Sequence, residues 1–434
     1  MRVAMIGTGY VGLVSGACFA DFGHDVTCVD KDTGKIAALA RGEVPIYEPG
    51  LNDLVAANAR AGRLTFTTDL PGAVKAADAV FIAVGTPSRR GDGHADLSYV
   101  FDATREIAAA LAGFTVVITK STVPVGTGDE VERLIRETNP SADVEVASNP
   151  EFLREGAAIR DLKFPDRIVV GTSDERGRKV LGDVYRPLSL NQAPLMFTAR
   201  RTAELIKYAA NAFLALKISY INEIGRLAER VGADITQVAN GIGLDARIGT
   251  RFLQAGIGWG GSCFGKDTAA LISTAAEYGL TMPIVQAARE INRCQRVRVI
   301  EKLLAELKIL KGRTIGLLGL AFKPHTDDLR EAPAIEIARQ LTERGAKVKV
   351  HDPVALPRAR REYGDSGIAF CEDPVEMAKG ADALVLVTEW PQYRDLPWED
   401  LAREMRHPLV LDGRQFLDRP RLTRAGFHYV GIVS

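Results

Sequence analysis

Cys263 stands in Gly260-Gly261-Ser262-Cys263-Phe264-Gly265-Lys266-Asp267, with a cation three positions on and a carboxylate four positions on. Most buried cysteines act as small hydrophobes. This one follows Gly258-Trp259-Gly260-Gly261, a run that suits neither a core strand nor a core helix. Glycines there let backbone approach a ligand closely. A nearby cation, or the N-terminus of a following helix, lowers a thiol pKa and favours the nucleophilic thiolate. A second pattern lies at the other end of the chain. Gly7-Thr8-Gly9-Tyr10-Val11-Gly12 follows a short apolar run, and Asp30 closes the next apolar run. Between a strand and a helix, such glycines admit a dinucleotide pyrophosphate at the helix N-terminus. Asp30 would bond ribose hydroxyls and disfavour a 2′-phosphate, selecting NAD over NADP, although Lys31 and Lys35 lie close by. A nicotinamide site plus a poised thiol predicts oxidation of an alcohol to an acid through a thiohemiacetal and a thioester.

Other residues carry weaker signals. Thr86 and Thr122 follow two apolar runs, at strand ends where doubly wound folds bind ligands, or are plain turn residues. Glu151 and Glu155 are four apart. On a helix they share a face and could divide base and binding roles, or form a solvated helix start. Lys207 and Asn211, also four apart, could donate to an oxyanion, or the lysine is simply exposed. Asp267 is either a first-turn helix acid or a group that positions water. Arg247, Lys323, Arg330 and Arg414 are candidate anion contacts. Cys18 and Cys28 read as core, and Cys294 and Cys371 carry no motif. The six histidines form no ligand-spaced cluster, so no metal site is expected.

The elements that must position these groups follow from hydrophobic pattern. Strands are expected at 3–6, 26–30, 79–84, 115–119, 144–147 and 167–170, separated by helical stretches. Such alternation predicts a parallel, doubly wound sheet. From 198 to about 231 apolar residues recur with one helical face, which predicts a single long helix. Further helices are expected at 235–238, 268–278 and 283–307. A second α/β pattern starts at 313, with strands at 314–318, 347–350, 383–387 and 409–411. Its Gly316-Leu317-Leu318-Gly319 turn lacks the full dinucleotide spacing. The fold class is therefore α/β, with two Rossmann-like doubly wound lobes joined by a central helical region with one long helix. The expected domains are 1–197, an NAD-binding Rossmann domain; 198–300, a central helical dimerisation domain; and 301–434, a sugar-nucleotide-binding Rossmann-like domain.

Composition narrows the function classes. The chain has 434 residues, 46% of them hydrophobic, with 55 basic and 55 acidic side chains. A net charge of zero argues against nucleic acid or an anionic membrane as partner. Five scattered cysteines without a CxxC pair fit a reducing compartment. The opening apolar run carries one basic residue and four glycines, unlike a signal peptide. A cytoplasmic location is the expectation.

Taken together, GTGYVG, IYEPGL, VGTPS, STVPVGT, NPEFLREG, the Lys207/Asn211 pair, FLQAGIGWGGSCFGKD, AFKPHTDDLRE and DGR resemble the UDP-glucose 6-dehydrogenase family, nearly end to end. The resemblance implies two-step, NAD-dependent oxidation of UDP-glucose by a homodimer built on the central helices. It implies Cys263 as nucleophile, Lys207 and Asn211 as oxyanion donors, and Asp267 as the residue that orients water. Glu151 would assist proton transfer, and Thr122 would sit near the catalytic water. The implied NAD contacts are Gly7, Gly9, Tyr10, Val11, Gly12, Asp30, Lys35, Thr86, Thr122, Glu155, Lys266 and Arg330. The implied substrate contacts are Glu151, Phe152, Leu153, Arg154, Glu155, Lys207, Asn211, Phe252, Leu253, Gln254, Ala255, Gly256, Gly260, Lys323 and Arg414. Arg247 would reach the substrate of a partner subunit. Related substrates, GDP-mannose or a UDP-N-acetylhexosamine, would use the same chemistry. A one-step hydroxyacid dehydrogenase would not need Cys263, and a non-catalytic nucleotide-sugar sensor would need none of the reactive groups.

Overall fold

The computed structural model describes residues 1–89 and 93–433. They form two compact units, residues 1–210 with 269–280, and residues 211–268 with 281–434.

The first unit is built on an eight-stranded sheet: β1 (Arg2–Ile6), β2 (Asp25–Val29), β3 (Leu64–Thr67), β4 (Ala79–Ile82), β5 (Thr115–Thr119), β6 (Val144–Ser148), β7 (Ile168–Gly171) and β8 (Leu195–Thr198). Their order is β3-β2-β1-β4-β5-β6-β7-β8. The first six follow the dinucleotide-binding arrangement, in which strand order reverses beside β1. β4 is buried at every residue, as expected for a strand covered on both faces. Side-chain alternation divides the core in two. Val3 and Met5 pack into one hydrophobic cluster with Phe81 and Ile118, while Ala4 and Ile6 pack into another with Val80 and Val117. The sheet departs from the expected all-parallel form at one place. β6 meets β7 in antiparallel sense through a single pair, Ser148 with Gly171.

The second unit carries a six-stranded parallel sheet: β9 (Thr314–Leu318), β10 (Lys347–His351), β11 (Ala369–Phe370), β12 (Ala383–Leu386), β13 (Leu409–Asp412) and β14 (His428–Gly431). Its order, β11-β10-β9-β12-β13-β14, repeats the pattern of the first six strands of the other sheet. Helices Ile235–Gly243, Phe264–Glu277 and Pro283–Leu307 make up the helical region with the long helix Arg200–Val231. The helix expected at 268–278 begins four residues earlier, at Phe264, directly after Cys263.

The dinucleotide turn shows why its glycines are required. Gly7 has φ +102°, and a side chain there would meet the Ala83 carbonyl oxygen at 2.7 Å. A Cβ on Gly12 would sit 2.0 Å from the Gly7 carbonyl oxygen. Gly12→Ala should therefore push the helix Tyr10–Asp21 off the turn, at a cost of about 1–3 kcal/mol. Calorimetry should show a lower Tm for the first unit, and an unchanged Tm would contradict this packing.

Candidate active site

In the first unit, the helix Tyr10–Asp21 starts with no side-chain cap and no acidic residue in its first turn. Its opening N–H groups therefore receive no side-chain cap, which fits a pyrophosphate. A Cβ on Gly9 would meet nothing within 4 Å, so the turn is open on that side. Asp30 stands just beyond β2. Its carboxylate accepts from Thr8 N at 2.9 Å, Thr8 Oγ1 at 2.6 Å, Asp32 N at 3.1 Å and Lys35 Nζ at 3.1 Å. Burial pushes its pKa up, but these hydrogen bonds outweigh it and hold the pKa at about 2. Asp30 thus fastens the glycine turn. Since its pKa is about 2 against an ordinary 3.8, its stabilisation is full above the ordinary value and is lost as pH falls through 2. Asp30→Asn should flatten the acid limb of unfolding stability by about 2 kcal/mol between pH ~4 and ~2. Urea titrations of both proteins across that range check this.

Thr86 lies beyond β4 and donates through Oγ1 to the Thr122 carbonyl oxygen at 3.0 Å. Two of the proposed cofactor contacts are thereby tied together. Tyr10 bonds Glu48 through its hydroxyl. Glu48 is buried and accepts from Gly156 N at 2.6 Å and Ala158 N at 2.8 Å. The cofactor turn is thereby tied to the far end of the 149–157 segment.

That segment corrects one expectation. Residues 151–154 are not helical, and the next helix starts only at Ala158. Pro150 removes a backbone donor, and the Glu151 side chain takes the Leu153 N–H at 2.5 Å, so a loop turn replaces a helical one. Glu151 and Glu155 do not share a helix face. Instead Glu151 is buried and accepts from Lys207 Nζ at 3.1 Å. Burial would raise its pKa, but Lys207, the Leu153 N–H and Lys120 hold it below the ordinary value. Lys207 is 3% exposed, so the reading of an exposed lysine fails. Its ammonium also lies 5.3 Å from the Phe152 ring, with Arg167 stacked on that ring at 3.6 Å. Arg154 is engaged by Asp161. Glu155 lies in the turn that follows.

The second unit holds the other reactive groups. Cys263 is half-buried and stands at the N-terminus of the helix Phe264–Glu277; its carbonyl accepts the first helical bond, from Asp267 N at 2.8 Å. That position favours the thiolate. Ser262 Oγ lies 3.6 Å from the sulfur. By contrast, burial raises Cys18 and Cys28 to about 12, which leaves them inert. Asp267 is 1% exposed. It accepts from Asn211 Nδ2 at 2.6 Å and Lys266 Nζ at 2.7 Å. Asp267 is a first-turn acid of that helix and a buried carboxylate held by an amide and a cation. Lys207 and Asn211 are one turn apart on the helix Arg200–Val231.

The protein's own packing requires the glycines before Cys263. A Cβ on Gly258 would meet Asn292 at 2.3 Å, on Gly260 the Glu331 carbonyl at 2.4 Å, and on Gly261 the Phe322 ring at 2.7 Å. Asn292 clamps Trp259 through both backbone groups, at 2.7 and 3.0 Å. Asn222 and Gln295 grip the N–H and carbonyl of Gly256 at 2.7 and 2.8 Å. Among the candidate substrate contacts, Leu253 and Ala255 are buried. Gln254 is exposed. Phe252 has φ 65°, a left-handed backbone that non-glycine residues rarely adopt. Arg414 donates to Gly258 O at 2.9 Å and Val387 O at 2.7 Å. Arg330 is paired with Asp328, Lys323 lies over the Phe322 ring, and Arg247 is exposed and paired with Asp245.

Sequence reasoning gave no role to Glu48, Asn292 or Lys120. Lys120 had a usable signal: it follows the apolar run of β5 at a C-terminal strand end, where such sheets bind ligands. Among the described residues no helix is long and apolar enough to cross a membrane.

Three family models cover the chain: the NAD binding domain (residues 1–189), the central domain (201–294) and the UDP binding domain (316–419) of the UDP-glucose/GDP-mannose dehydrogenase family. A UDP-glucose 6-dehydrogenase of Rhizobium meliloti is 58% identical, covering 100% of this chain and 99% of the relative. The UDP-glucose 6-dehydrogenase TuaD of Bacillus subtilis is 45% identical over 99% of this chain and 93% of its own length. A solved UDP-glucose dehydrogenase from the archaeon Pyrobaculum islandicum superposes with a TM-score of 0.92 at 43% identity, covering 99% of this chain and 97% of that one.

Proposed function

The chain belongs to the UDP-glucose/GDP-mannose dehydrogenase family and acts as an NAD-dependent UDP-glucose 6-dehydrogenase, and we propose that it does so by covalent catalysis at Cys263. The observation that carries this reading is a thiol at a helix N-terminus followed by the buried Asn211–Asp267–Lys266 cluster. Gly7, Gly9, Tyr10, Val11, Gly12, Asp30, Lys35, Thr86, Thr122, Glu155, Lys266 and Arg330 hold NAD. When bound, NAD supplies the hydride acceptor, twice per substrate.

In the first oxidation Glu151, kept ionised by Lys207, assists removal of the C6 hydroxyl proton. Cys263 Sγ then adds to the aldehyde carbon and forms a thiohemiacetal. The thiol is needed because it restores a tetrahedral carbon with a hydride to lose. Lys207 Nζ and Asn211 Nδ2 donate to the oxygen that becomes negative. Loss of the second hydride leaves a thioester. Asp267 orients the water that cleaves it, with Thr122 beside that water; UDP-glucuronate leaves and the thiol returns. The substrate is held by Glu151 to Glu155, Phe252 to Gly256, Gly260, Lys323 and Arg414. Arg247 serves the substrate of a second subunit.

The chain acts as a cytoplasmic homodimer in this proposal. Phe213, Tyr220 and Leu227 support the dimer: they repeat every seven residues on the long helix and are 61%, 48% and 59% exposed. Three exposed apolar side chains on one helical stripe suit a helix–helix contact. The deciding experiment counts NADH per UDP-glucose consumed, with GDP-mannose and UDP-N-acetylglucosamine in parallel. Two NADH from UDP-glucose and little from the others is the expected result. One NADH would end the covalent reading.

A further inference from the structure

Lys120 follows β5 and is 5% exposed. Its ammonium donates to Asn149 Oδ1 at 3.0 Å and to the Tyr185 hydroxyl at 3.2 Å. The Tyr185 hydroxyl itself donates to Asn149 Oδ1 at 2.5 Å, and Asn149 Nδ2 donates to Val169 O at 2.8 Å. These partners are all neutral. A buried ammonium bonded only to neutral groups is a standing cost to the fold. The negative charge that answers it is Glu151, two residues beyond Asn149. The roles proposed above do not use this lysine, although it belongs to the same buried cluster as Glu151 and Lys207.

We propose that Lys120 is a positioning residue for the dehydrogenase reaction, setting both the place and the charge of Glu151 without touching substrate. Its bond to Asn149 fixes the exit of β6, from which the chain turns through Pro150 to present Glu151 to Lys207. Its charge acts on Glu151 together with that of Lys207. Lys207 on the long helix and Arg167 before β7 are further charged groups that act on Glu151. Glu204 is occupied by Gly126 N, Gly128 N and Ser148 Oγ, at 2.7, 2.8 and 2.9 Å. Arg167 is stacked on Phe152. Burial, reinforced by Lys207 and opposed by Glu151, brings the Lys120 pKa down to about 8, so the amine is mostly charged at neutral pH.

The proposal rests on the reading of Glu151 as the acid–base carboxylate, and the test separates the two. Lys120→Gln keeps a donor for Asn149 and removes the charge; Lys120→Met removes both. With one cation gone, Glu151 protonates at higher pH. The acid limb of kcat against pH should then move up by about one pH unit in both variants, so activity on that limb falls about tenfold. Lys120→Met should lose further kcat at all pH values, because Glu151 is also misplaced. Glu151→Gln is measured alongside. If Glu151→Gln abolishes the limb while both Lys120 variants fold and leave it unmoved, the positioning role is overturned and the Glu151 reading stands. If Glu151→Gln itself leaves the limb unchanged, the Glu151 reading fails and this proposal fails with it. Should Lys120→Met not fold, the limb shift in Lys120→Gln decides alone.

Discussion

Cys263→Ser should lower kcat for UDP-glucuronate formation by at least about 10³-fold, consistent with the scale seen when a covalent nucleophile is removed. The serine hydroxyl is nearly isosteric, so the packing around the helix Phe264–Glu277 should survive and the Tm should stay near that of the wild type. What changes is ionisation. A helix N-terminus brings a thiol toward its thiolate at neutral pH, whereas a hydroxyl remains protonated. The carboxylate nearest in sequence, Asp267, is already engaged by Asn211 and Lys266, so it is poorly placed to serve a serine as base. Any oxygen ester that does form lacks the reactivity of a thioester and should accumulate, visible as a mass increase on the intact protein. UDP-glucuronate formed at the wild-type rate, with two NADH each, would rule out the thioester route.

Lys207→Met carries the second largest expected effect, and it acts in two ways. Loss of the proposed oxyanion donor should reduce kcat about 10²–10³-fold. Loss of the ion pair should also destabilise the first unit, because Glu151 is left buried without its hydrogen-bonded cation. One-sided removal of a buried pair costs about 3–5 kcal/mol. The double variant Lys207→Met/Glu151→Gln separates the two effects. A neutral amide in place of the carboxylate should recover most of the lost Tm but none of the lost kcat. Recovery of both would mean that Lys207 serves only to neutralise Glu151. Recovery of neither would mean that its packing against Phe152, where its ammonium lies 5.3 Å from the ring, matters more than its charge.

The strands that sequence patterning missed have one thing in common. β3, β8, β11 and β14 are the edge strands of the two sheets. An edge strand is covered on fewer sides, so its residues need not be apolar. β3 reads Leu-Thr-Phe-Thr with one fully buried residue, and β8 has none. Central strands such as β4, β5 and β12 are buried along their whole length and announce themselves as apolar runs. The long helix was equally plain, because its apolar residues recur at helical spacing over many turns.

The sequence by itself determined which groups are available for chemistry: the thiol, the cation–amide pair, the acidic residues and the dinucleotide turn can all be picked out by residue type and spacing. Local rules suffice where the partners are near in sequence, as with Gly7 and Gly12, or Cys263 and the helix it starts. Only the tertiary structure decided how those groups are charged and held. Lys207 reads as a surface lysine until Glu151, 56 residues earlier, is seen bonded to it. Glu151 and Glu155 read as a helical pair until the loop geometry separates them. The packing demand on the glycines around Trp259 is invisible until Asn292, Glu331 and Phe322 are found against them. Burial and ion pairing depend on residues brought together from distant positions, and no local pattern records which distant side chain will arrive.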